Sequence, residues 1–127
     1  MDTSKEYILM CEKAVEIQEL WKPQKGDWGY EESVYNHPIE QQILHCVKDT
    51  MEKQGLIWLP RQDQLQEMVN NPKYKFSLQG GVFERLWKYY ESIEFVDCFM
   101  INSYEQLWLA FAMQEKFDKQ WNGKEWK

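Results

Sequence analysis

Three times in this chain a leucine is followed directly by a tryptophan, at Leu20-Trp21, Leu86-Trp87 and Leu107-Trp108. Each pair falls in a stretch whose apolar residues recur at three- and four-residue intervals, the spacing of one helical face. Rings carried at that spacing need a packed interior, because each buries a large area in a preferred geometry. Seven tryptophans, seven tyrosines and six phenylalanines in 127 residues therefore predict a packed helical domain. They are incompatible with a linker or a solvated tail. Most of the aromatic mass is expected in the core.

A chain of this length makes one domain of ordinary size, residues 1–127, stable without disulfide or metal. Cys11, Cys46 and Cys98 lie far apart among apolar residues and read as buried free thiols of a reducing cytosol. Asp2, Lys5 and Glu6 precede any apolar run, unlike a secretory signal. No apolar stretch approaches the roughly 18 to 20 residues a bilayer requires. A cytoplasmic location and no membrane partner are the expectations.

The first helix is the clearest element. Thr3 and Glu6 have the spacing of a capping box. Tyr7, Ile8, Met10, Cys11, Ala14, Val15, Ile17, Leu20 and Trp21 then form a wide apolar stripe, ended by Pro23. Lys25-Gly26-Asp27 is turn chemistry, and Trp28, Tyr30 and Tyr35 suit a short strand. A second helix is expected from Pro38, with Ile39, Ile43, Leu44, Val47 and Met51 inward and Gly55 as its stop. Leu56 to Leu59 reads as a buried strand or extended connection. Pro60 starts a third helix with Leu65, Met68 and Val69 inward, broken at Asn70-Asn71-Pro72.

Residues 73–79 alternate as a strand does. Gly80-Gly81 separates them from a fourth helix with Val82, Phe83, Leu86, Trp87, Tyr90 and Ile93 on its apolar side. Ser103 and Gln106, again at capping-box spacing, open a fifth helix through Phe117, whose very broad stripe marks it as central. Asn122-Gly123, a strong hairpin signal, lies between Trp121 and Trp126, so residues 119–127 are expected to fold back on the body. The fold class is mainly α: about five helices with a minor β element from 28–35, 56–59 or 73–79.

Three segments carry a resemblance: Ala14 to Asp27 (AVEIQELWKPQKGD), Ile57 to Met68 (IWLPRQDQLQEM), and Glu105 to Phe117 running on into Trp121 to Trp126. Together, and in this order, they resemble small uncharacterised proteins encoded by phages and prophages of low-GC Gram-positive bacteria. The string Trp58-Leu-Pro-Arg-Gln-Asp-Gln64 is the most distinctive part. The resemblance implies a phage-derived gene acting in the bacterial host. It assigns no activity and no functional residue.

Catalytic chemistry is hard to assemble from these residues. His37 and His45 have no metal-ligand spacing to a cysteine or carboxylate pair. Asp27, Glu31 and Glu32 sit in a loop beside rings, without the fixed separation that acid–base work needs. No phosphate loop, dinucleotide fingerprint or nucleophile elbow is present. No enzyme, no cofactor and no metal are expected.

Binding is the remaining class. Trp28 and Tyr30 on a loop, and Trp58 and Arg61 straddling Pro60, are the candidates for protein contact, since Trp and Arg dominate binding hot spots. The partner would be a host or phage protein. A twin subunit is the other candidate, because five amphipathic helices either close one core or leave a stripe open. The alternative is single-stranded nucleic acid, held by Lys73, Tyr74, Lys75, Phe76, Arg85 and Lys88, where cations interleave with rings. A net charge of −6 works against that alternative. An amphipathic edge strand accounts for the lysines more simply.

Overall fold

Ser4 opens the first helix, one residue later than the Thr3–Glu6 spacing predicts. Its hydroxyl accepts the Tyr7 N–H at 3.2 Å, satisfying one of the donors a helix start leaves free. This computed structural model describes residues 1–31, 44–46, 55–70, 81–93 and 100–127. Contacts group the chain into two compact units, Thr3–Pro60 and Arg61–Lys127 with Met1–Asp2.

In the first unit the expected single helix to Pro23 is two helices, α1 (Lys5–Lys13) and α2 (Val15–Leu20). They part at Ala14, whose backbone leaves the helical region at φ −81°, ψ 63°. Neither proline nor glycine marks the break. A side chain makes it affordable: Gln18 Nε2 donates to the Cys11 carbonyl at 3.0 Å, replacing a partner that the break disturbs. Tyr7, Met10, Cys11, Ala14 and Ile17 are fully buried along this pair.

A turn follows, with Gly26 at φ +93°, and Asp27 Oδ2 accepting the Gln24 N–H at 2.9 Å. Next come β1 (Trp28–Glu31), β2 (Leu44–Cys46) and β3 (Leu56–Trp58). They form a three-stranded antiparallel sheet in the order β2-β1-β3. Gly29 lies opposite His45 on one side and Trp58 on the other. The helix expected from Pro38 is therefore wrong at Leu44–Cys46, where β1 claims the backbone as a ladder partner and overrides the apolar spacing. The rest of that expected helix lies outside the described residues.

The free edge of β3 is closed by one side chain. Gln18 Oε1 accepts the Trp58 N–H at 2.8 Å and Gln18 Nε2 donates to the Trp58 carbonyl at 3.0 Å. An amide side chain has one donor and one acceptor group in the plane of a peptide, so it stands in for the next strand. On the adjoining surface, Tyr7 donates its hydroxyl to the Pro60 carbonyl at 2.6 Å, and the Trp21 and Trp58 rings stack 5.8 Å apart.

The second unit holds α3 (Gln62–Val69), α4 (Val82–Ser92) and α5 (Tyr104–Phe117). Every residue of α5 from Gln106 to Met113 is buried, as expected of a helix apolar all round. It packs mainly on α3 and also on α4. The strand expected at 73–79 lies outside the described residues. At the chain's end Trp121 bridges Trp126, with ring centroids 5.0 Å apart. Asn122 is a corner of this turn rather than its centre: its Oδ1 accepts the N–H groups of Lys124 and Glu125, both at 2.9 Å. Gly123 takes φ +92°.

The class is mainly α, with five helices among the described residues and a minor β element. No helix among those residues is long and apolar enough to cross a membrane.

Candidate docking groove

Helix α4 buries none of its residues, although its sequence carries six large apolar or aromatic side chains. Glu84 pairs with Lys88 at 3.1 Å and Trp87 Nε1 donates to Glu91 Oε1 at 2.8 Å, both one turn apart. Its inner side is tied down by Arg85, which pairs with Glu115 and donates to the Val69 carbonyl at 2.7 Å. Tyr89 meets Phe111 with ring centroids 5.6 Å apart. That anchoring fixes the opposite side as the outward one.

There Phe83, Trp87 and Tyr90 stand at 67, 60 and 46 % exposure, and Tyr104 at the start of α5 stands at 71 %. The four line one open groove of about 660 Å³, floored by Leu86, Ile101 and Leu107. Phe83 is steadied edge-on by Trp108 at 5.6 Å, and Trp87 lies 6.0 Å from Tyr90.

The α5 wall is held by a polar network. Gln106, 1 % exposed, donates Nε2 to Asp2 at 2.9 Å and accepts the Asn102 N–H at 2.8 Å. The Ser103 hydroxyl accepts the Gln106 N–H at 3.1 Å and donates to Asp2. Each partner satisfies another, so the buried amide stiffens the turn that presents Tyr104.

This corrects the expectation that most of the aromatic mass is core, at Phe83, Trp87 and Tyr90. The apolar arc of α4 spans about 160° on a helical wheel, wider than one neighbouring helix covers. Arg85, Tyr89 and one edge of Phe83 meet α5, while Trp87 and Tyr90 do not. The width of the arc was the available signal, because a stripe much broader than about 100° needs a second cover.

The protein-contact candidates lie elsewhere. Tyr30 and Trp58 are buried and Trp28 is half-buried. Trp58 Nε1 has no hydrogen-bond partner. Arg61 donates through Nε and Nη2 to the two oxygens of Asp63, at 3.0 and 3.2 Å. That hydrogen bonding holds the Asp63 carboxyl below its ordinary pKa. Arg61 thus has a neighbouring acid as its partner.

Of the nucleic-acid candidates, Arg85 is committed to Glu115 and Val69, and Lys88 to Glu84. Lys73, Tyr74, Lys75 and Phe76 lie outside the described residues. Asp27 is buried and accepts the Trp21 indole N–H at 2.9 Å, which makes it a clamp on the turn. Among the described residues no three His, Cys, Asp or Glu side chains gather where a metal could sit. In comparisons with known proteins, no family model, curated protein or solved structure matches the chain.

Proposed function

We propose that this chain is a non-enzymatic protein-interaction module whose docking surface is the groove between α4 and the start of α5. In keeping with the phage resemblance, it acts as an accessory protein in a bacterial cytoplasm. The observation that carries the reading is the exposure of Phe83, Trp87, Tyr90 and Tyr104 along one groove. Single exposed rings are ordinary, but a contiguous apolar patch rimmed by polar groups marks a contact surface. Tryptophan and tyrosine anchored by an ordered neighbour are the residues that dominate binding energy. Each of the three rings of α4 is already oriented by a neighbouring ring or carboxylate, so docking costs little side-chain entropy.

The test is affinity capture with the immobilised full chain, set beside its Phe83→Ala and Trp87→Ala variants. A Leu20→Ala variant, altered at an exposed apolar residue of α2, is the control. The module reading expects a defined protein, whether a second copy or another chain, to be retained by wild type and the control and lost from both groove variants. Equal retention by all four proteins would overturn it.

A further inference from the structure

We infer that the occupant of this groove is a second copy of the same chain, in a two-fold pair that sets α4 antiparallel to its twin. The inference rests on the docking reading above and supplies its partner. Area favours it first. Taking about 200 Å² for a large ring, the four exposed rings leave roughly 500 Å² open per chain. Two such faces, fully covered, remove about 1,000 Å² from water, the lower limit for a specific interface and the size of a reversible one. Leu86, Ile101 and Leu107 in the groove floor add to that.

The arrangement along α4 is self-matching. Phe83, Trp87 and Tyr90 follow one strip of the helix, with Trp87 near its midpoint. A two-fold axis beside Trp87 sets that ring on its own copy and brings Phe83 of each chain opposite Tyr90 of the other. An isologous interface demands this self-complementarity.

Charge favours the same occupant. Glu84, Lys88 and Glu91 lie along one flank of the ring strip, with Lys88 already within 3.1 Å of Glu84. Under the two-fold operation that flank lies beside its own copy, so Lys88 of each chain comes level with both Lys88 and Glu84 of the other, and the two Glu84 carboxylates offset the paired lysines. A partner of uniform charge, of either sign, meets no matching field on a row that alternates.

The experiment is sedimentation equilibrium of the full chain from about 1 to about 300 µM, the range in which an interface of modest area dissociates. The expected result is a reversible rise from the mass of one chain toward that of two. Trp87→Ala raises the dissociation constant at least about ten-fold. Lys88→Glu also weakens the pair, because it leaves an all-acidic row facing itself. The double variant Glu84→Lys with Lys88→Glu returns one cation to the row and recovers association, and circular dichroism confirms that each variant is folded.

A wild-type chain that keeps the mass of one subunit across the whole range overturns the inference. Trp87-dependent capture of a different protein would then leave the docking face standing and displace only the second copy. A dimer indifferent to both Trp87→Ala and Lys88→Glu overturns it too, since such a pair forms through another face.

Discussion

Two tryptophans stacked on one another have opposite polar circumstances. Trp21 donates its indole N–H to buried Asp27, whereas the Trp58 indole N–H is buried without a partner. Trp21→Phe therefore removes one of the donors to a buried carboxylate, which keeps the Gln24 N–H, and should cost about 1 kcal/mol beyond the loss of ring volume. Trp58→Phe removes an unsatisfied donor and should cost no more than about 1.5 kcal/mol. Urea unfolding of the two variants gives the comparison. Asp63 supplies a pH effect of known sign. Its pKa is lowered in the fold by the Arg61 hydrogen bond, so its contribution is present above the unfolded carboxyl pKa and fades as pH falls through the lowered one. Asp63 is largely exposed, which limits the effect to under about 0.5 kcal/mol. The stability gap between wild type and Asp63→Asn should close in acid once the carboxyl is protonated. The pairing of Arg61 with Asp63 was legible from their nearness in sequence. The Asp27 clamp was not, because it depends on where a turn folds back.

Among the elements, the helices were the most legible. Spacing placed α3, α4 and α5 to within two residues, and Ser103 was read as the start of α5. The break at Ala14 escaped detection because the side chain that accommodates it is Gln18, a polar residue whose partners at Trp58 are distant in sequence. A strand at Leu44–Cys46 escaped for a similar reason: its apolar neighbours fit a helix, and only β1 decides otherwise. Gln18 joins these two surprises. Gln18→Ala should expose the outer edge of β3 and leave both Trp58 backbone groups without their present partner, while the Cys11 carbonyl keeps the Ala14 N–H. A loss of about 2–3 kcal/mol is expected, together with faster hydrogen exchange at the Trp58 amide.

At the scale of the whole molecule, the surplus of rings was correctly read as evidence for a packed interior but was assigned there too completely. Leu107, Trp108 and Phe111 are buried, while Leu86, Trp87 and Tyr90 have the same spacing on α4 and leave Trp87 and Tyr90 exposed. Periodicity reports that a face is apolar, not that the chain itself supplies something to lie against it. At concentrations too low for pairing, a double variant, Phe83→Ser with Trp87→Ser, should hold the melting temperature within a few degrees of wild type, as surface changes do. It should also bind less of a dye that reports exposed apolar surface. A large drop in the melting temperature of the single chain would instead mark these rings as structural.

The uncovered strip on α4 also sets a rule of supply. A surface that sticks to oily groups remains safe in a crowded cell only when its match is made in comparable amounts. Twin subunits satisfy that condition automatically, since each new polypeptide brings both the adhesive and its recipient. Overproduction of this gene should then yield soluble pairs instead of clumps, with no second gene needed to balance the dose.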